Sequence, residues 1–193
     1  MRRLPALLLP LALVAACSAP PQKELDMAQG ALDAARAAGA EQYAVQEYSA
    51  ASSTLQQAHD AVSQRDYRLA LTRALDAHDR AQDAAKAAAD GKARARGEAE
   101  AAIAAASAAI TQIRTRIAAA EAARMTRKDV AQAVNAADTA DGAVQKARAA
   151  IKAQDYPGAR ELVKEIPRQI SAELIALDAL AAKRTAKPAR RGR

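Results

Sequence analysis

From residue 23 onward the apolar positions advance by threes and fours rather than alternating by two, which is the spacing of one face of an α-helix. One series is Leu25, Ala28, Leu32 and Ala35, and a second is Ala44, Tyr48, Ala51, Leu55, Ala58 and Val62. A third runs Ile103, Ala106, Ile110, Ile113, Ile117, Ala120, and a fourth Val130, Ala133, Ala137, Ala140, Val144, Ala147, Ile151. Two such positions per heptad form a narrow stripe, suited to packing helices side by side.

Caps and breakers place the ends. Gly39 closes a first helix, and Asp66 and Asp155 are good N-caps because a short carboxylate accepts bonds from the free amides of a first turn. Thr126 followed by Asp129 reads as a capping box. Asp90-Gly91 and Gly97 mark a joint, Pro157 fits a first helical turn, and Pro167 is expected to kink or split the last helix. The pattern predicts helices over about 23 to 38, 41 to 64, 67 to 90, 98 to 125, 128 to 153 and 156 to 182. At 1.5 Å per residue the fifth of these is about 39 Å long, so the expectation is an elongated antiparallel bundle or coiled-coil-like hairpins.

Shifted by 89 positions, the chain overlies itself. Ala44, Ala51, Leu55, Ala58, Val62, Asp66, Tyr67 and Ala70 fall on Ala133, Ala140, Val144, Ala147, Ile151, Asp155, Tyr156 and Ala159. Stripe and Asp-Tyr turn recur together, predicting an all-α domain over 23–182 built of two related three-helix halves, about 23–90 and 98–182.

The N-terminus follows another pattern. Arg2 and Arg3 precede a short apolar run, Leu4 to Leu13, too short for the roughly 20 residues that span a bilayer. The run ends in Val14-Ala15-Ala16-Cys17, which resembles the bacterial lipobox: an aliphatic residue and two small ones for the signal peptidase, then a cysteine whose thiol takes diacylglycerol. Residues 1–16 are expected to be the signal peptide, and 17–22 the lipid anchor and a short linker. Cys17 is the only cysteine, so no disulfide forms within one molecule. Ser18 rather than Asp follows it, which in enterobacterial-type sorting points to the outer membrane, facing the periplasm.

Cleavage before Cys17 leaves 177 residues with only 24 Leu, Ile and Val, about 14%, and 59 alanines occur in the whole chain. So thin an apolar content suggests disorder only when net charge is also high. The formal +7 does not describe the body: two of those charges are Arg2 and Arg3, and six more lie in 183–193. Residues 17–182 balance 21 bases against 22 acids. A near-neutral body rich in alanine, the best helix former, favours helical order around a thin core.

Gly39-Ala40-Glu41-Gln42-Tyr43-Ala44, then Glu47, Ala50, Ala51, Leu55, Ala58, Asp66-Tyr67, Ala70 and Ala74, resemble the bacterial envelope family called domain of unknown function 4398. The resemblance covers about residues 20 to 90, and the second half through the repeat. It implies short alanine-rich helical segments with a Gly-Ala-x-x-Tyr-Ala entry and an acidic-Tyr turn, often behind a lipobox. Some relatives add a peptidoglycan-binding domain of the outer-membrane-protein-A type, and no such domain follows the helices here.

No constellation of catalytic residues stands out, so the chain is expected not to be an enzyme and to need no cofactor or metal. His59 and His78 are the only imidazoles, with no second ligand at metal-site spacing, and His59 reads as a helix-surface residue. Acids sit beside bases, as Asp76 and Arg80 do at i, i+4, where they solvate and weakly support a helix. Tyr43, Tyr48, Tyr67 and Tyr156 read as large anchors in a core of alanine. The remaining candidate is the basic tail, 183–193, expected to be disordered, with Lys183, Arg184, Lys187, Arg190, Arg191 and Arg193 as an anionic-surface site. Export removes nucleic acid as a partner and leaves envelope proteins, peptidoglycan or anionic lipid. The sequence thus leads one to expect a lipid-anchored envelope scaffold or interaction module, or else a periplasmic helical module that binds or inhibits a single partner protein.

Overall fold

The computed structural model describes residues 19–186, which contain helices and turns and no strand. In chain order these are α1 (Gln22–Ala37), α2 (Ala40–Tyr43), α3 (Val45–Ser63), α4 (Tyr67–Ala122), α5 (Arg127–Lys152), α6 (Tyr156–Val163) and α7 (Ile166–Ala186). The fold is all-α. It divides into two compact units, residues 1–88 and 89–193, with α4 contributing its first part to one and its second part to the other.

In unit 1, Leu25, Ala28 and Leu32 of α1 meet Ala51, Leu55 and Ala58 of α3 and Ala74, Ala77 and Ala81 of α4 in one buried cluster. A second cluster joins Ala35, Ala40 and Ala44 to Ala84 and Ala88, with Tyr43 and Tyr48 packed against it. Gly39 makes the corner between α1 and α2 at φ +90°, and a Cβ there would stand 3.2 Å from the Tyr43 ring. Both facts require glycine. One helix was expected over 41 to 64, but Ala44 leaves the helical conformation (φ −144°, ψ 51°) and separates α2 from α3.

In unit 2, α4 buries Ile103, Ile110, Ile113 and Ile117, and α5 buries Val130, Ala133, Ala137, Ala140, Val144 and Ala147. Tyr156 and Val163 of α6 and Ile166, Ile170 and Leu177 of α7 complete the core. Ion pairs link the helices: Arg114 reaches Asp138 (3.8 Å) and Asp141 (3.7 Å), and Arg160 reaches Glu98 (3.5 Å). These groups are about half exposed and add at most about 1 kcal/mol each. The isoleucine stripe, not the charges, holds the unit.

Two expectations about breaks need correction. Asp90-Gly91 and Gly97 form no joint, for α4 runs through them without interruption. A glycine inside a helix costs only about 1 kcal/mol, and the flanking alanines sustain the helix around it. Pro167 does accompany a split, but two residues upstream: α6 ends at Val163 and α7 starts at Ile166, which puts Pro167 in a first turn where its missing donor is harmless. Pro157 sits in the first turn of α6, and the Thr126–Asp129 capping box is present.

The residues paired at an offset of 89 share their surroundings. Ala44, Ala51, Leu55, Ala58 and Ala70 are buried, and so are Ala133, Ala140, Val144, Ala147 and Ala159. The turn between them is the same in both places. Arg65 and Gln154 are left-handed (φ 61° and 62°), the amides of Asp66 and Asp155 bond Ala61 O and Ala150 O at 2.9 Å, and each aspartate accepts the amide three residues on. Beyond the sequence match, buried Ala74, Ala77, Ala81 and Ala88 fall on buried Val163, Ile166, Ile170 and Leu177. At an offset of 85, Leu25, Ala28, Leu32, Ala35 and Ala40 fall on Ile110, Ile113, Ile117, Ala120 and Met125, again all buried.

Candidate functional site

The residues proposed for lipidation, Val14, Ala15, Ala16 and Cys17, lie outside the described residues, as do Lys187, Arg190, Arg191 and Arg193. Lys183 and Arg184 do not belong to a disordered tail, as had been expected; they occupy the last helical turn of α7. Continuing the helix costs little in this alanine-rich stretch, and cations are favoured at a C-terminal turn.

Arg184 is also not free. Its guanidinium lies 2.7 Å from Asp129 Oδ2, so it is tied to the N-terminus of α5. Asp129 serves that helix twice, accepting the Thr126 amide at 2.8 Å and the Thr126 hydroxyl at 2.6 Å. Those bonds, with the nearby charges of Arg184 and Lys128, hold its carboxyl below its ordinary value of about 3.8. Of the six expected anionic-surface residues, the described part thus offers Lys183 unpaired and Arg184 already engaged.

Along the seam of α5 with α6 and α7 runs a groove in two sections, of about 490 Å³ and 280 Å³. Gln132 and Glu173 line both sections and are hydrogen-bonded across it at 3.0 Å. Alanines from α5 leave room on one wall, Ala136, Ala140 and Ala143, while Ile166 and Ile170 form an apolar floor. Leu162 and Leu180, 43% and 42% exposed, mark its two ends. The rim acids Glu161 and Glu165 are paired with Lys164 and Arg168 one turn on. Such a groove can receive an apolar ridge of another chain, but it brings no nucleophile up to a base. The sequence carries a signal for it beside that stripe: Ala136 and Ala143 form a second apolar row next to Val130–Ile151.

The tyrosines are divided. Tyr156 is buried, and Tyr43, Tyr48 and Tyr67 are half-buried. The Tyr48 hydroxyl is shielded and meets no partner of good geometry, while the Arg36 guanidinium lies 5.7 Å from its ring centroid. Hydrogen bonding to Glu41, at 2.9 Å, is the main reason Arg36 holds its proton more tightly than usual. His59 is exposed, and His78 sits 3.2 Å from Asp79. Among the described residues no three His, Cys, Asp or Glu side chains converge as a metal site, and no helix is long and apolar enough to cross a membrane. Compared with family models, with curated proteins and with solved structures, the chain finds no match.

Proposed function

We propose that the protein is a non-enzymatic lipoprotein of the bacterial cell envelope, anchored in the outer membrane through Cys17, facing the periplasm and acting as a helical scaffold or interaction module. The observation that carries this reading is Val14-Ala15-Ala16-Cys17 at the end of a short apolar run behind Arg2 and Arg3. Three acyl chains would make attachment lasting, since each buried methylene contributes about 0.8 kcal/mol and one chain alone holds only marginally. The resemblance of Gly39–Ala44 and Asp66-Tyr67 to the envelope family supports the same setting. Mass spectrometry of the mature chain from cell membranes tests it: a diacylated, processed Cys17 is expected, and Cys17→Ser should abolish the modification. A free thiol on the wild-type mature chain would overturn the reading.

The α5–α7 groove favours a second reading, a module that grips one partner protein through a helical face. Crosslinking in intact cells from Gln132→Cys and Gln169→Cys variants separates the two. Capture of one protein at both positions is expected of a gripping module, and a spread of weak products of a scaffold.

A further inference from the structure

We infer that the end of unit 1 from which the N-terminal segment emerges is a membrane-contact surface, resting on the lipid headgroups that hold Cys17 and made by Arg65, Arg68, Leu71 and Leu75. The inference depends on the lipid-anchor reading above. The two clusters fix which end is which. Leu25 and Ala28, early in α1, lie with Ala58, late in α3, and Ala74, early in α4, whereas Ala35 lies with Ala84 and Ala88. The start of α1, the α3–α4 turn and the start of α4 therefore share one end of the unit. Only four residues separate Cys17 from Gln22, and at 3.3–3.6 Å per residue an extended chain of that length keeps this end within about 18 Å of the lipidated sulfur.

Two independent features gather at the same end. Among its described residues unit 1 exposes five large apolar side chains, Met27, Val45, Leu69, Leu71 and Leu75, and all except Val45 lie in the first turns of α1 or α4. Among them Leu71 and Leu75 follow Arg68 at i+3 and i+7, one face of the helix, with the charge nearest the end and the leucines (38% and 47% exposed) above it.

The cations divide in the same way. Arg36, Arg80 and Lys86, toward the far end, each pair with a carboxylate, whereas Lys23, Arg65, Arg68 and Arg73 stand in no ion pair among the described residues. Acids are also present here, namely Glu24, Asp26, Asp60, Asp66 and, beside Leu75, Asp76, which pairs with Arg80. Gln22 bonds Asp26, Gln56 bonds Asp60, and Asp66 caps α4 by accepting the Leu69 amide. With the flank of the first turns of α4 laid along the lipid surface, the long side chains of Arg65 and Arg68 reach phosphate while Leu71 and Leu75 enter the interface beside them.

The chain has no tryptophan, so one introduced indole reports without background. The full chain, purified from membranes with Leu71→Trp, Leu75→Trp or the control Val45→Trp, is placed in vesicles of phosphatidylethanolamine and phosphatidylglycerol carrying brominated acyl chains. Val45 is more exposed than either leucine but opens α3, whose 19 residues put it about 28 Å from the turn. Indoles at 71 and 75 are expected to shift to the blue and lose most of their emission, and the indole at 45 to lose little. With the protein on the vesicles and lipid on Cys17, equal quenching at all three positions would overturn the inference while leaving the anchor intact. Protein that stays in solution without lipid on Cys17 would overturn the anchor reading, and the inference with it.

Discussion

Replacing Ile113 by alanine tests whether the isoleucine stripe holds unit 2. Ile113 is fully buried in the second part of α4, and its counterpart in unit 1 is already an alanine, Ala28. The change removes three carbons, about 2.4 kcal/mol at 0.8 per group, before any term for the cavity left behind. With that term the cost should be about 3–4 kcal/mol, inside the range for buried isoleucine. For a unit of this size a urea slope of about 2 kcal/mol per molar turns that into a midpoint lowered by about 1.5–2 M. Far-ultraviolet circular dichroism in urea measures it, with Ile175→Ala as the control. Ile175 is 69% exposed on the same unit, so its replacement should shift stability by no more than about 0.5 kcal/mol. Equal midpoints for the two variants would refute the packing of the stripe. The same reasoning ranks the units, since among its described residues unit 1 buries only Leu25, Leu32 and Leu55 as large aliphatic side chains. Amide hydrogen exchange should therefore be faster at Leu32 and Leu55 than at Ile113 and Ile170.

Gly97→Ala is expected to raise stability by about 0.5–1 kcal/mol because nothing lies within 4 Å of the added methyl, whereas Gly39→Ala should lower it by about 1–2 kcal/mol through its left-handed φ; thermal melts of the pair give opposite signs if this is right. Asp129 has its carboxyl lowered by folding, so its contribution is complete above the ordinary carboxylate value and is lost as pH falls through the lowered one. Melting wild type and Asp129→Asn from neutral pH downward should show a gap that closes only below about 3.8, and a gap independent of pH would contradict the assignment. For the body 20–193, deleting 187–193 should weaken binding to anionic vesicles and lower its salt dependence, leaving the part that Arg65 and Arg68 carry, while Arg184→Ala should change it little because that cation is already paired; cosedimentation across a salt series checks both.

The helices were legible because alanine-rich stretches with period-3.6 stripes leave no competing structure, and every residue of the α1 and isoleucine stripes is buried. Caps were legible where a side chain performs them, as at Thr126 and Asp155. The breaks were less so. Asp90-Gly91 carries the composition of a turn, but composition cannot weigh one glycine against the long helix around it. Ala44 breaks a helix with no glycine or proline to announce it, and Arg65, Arg124 and Gln154 take left-handed φ without the usual residue types. Surface chemistry was the least legible. Arg184 meets Asp129 across 55 positions, and the unpaired state of Arg65 and Arg68 depends on where acids from three helices end up.

Between Ala40 and Ala44 the two units fall out of step: the matching offset is 85 before this point and 89 after it. Unit 2 thus carries four more residues here. At 3.6 residues per turn, four residues rotate a helix only about 40° past a full circle, so the stripe that follows still faces its core. A duplicated gene can gain such a turn at a corner without disturbing anything downstream. The added length falls within 126–132, where α5 begins, a stretch that holds Lys128 and Asp129; both line one end of the groove, and Asp129 receives Arg184. In unit 1 this place is taken by α2, which Ala44 separates from α3. A partner that seats itself against this end would therefore discriminate between two halves that share most of their buried positions.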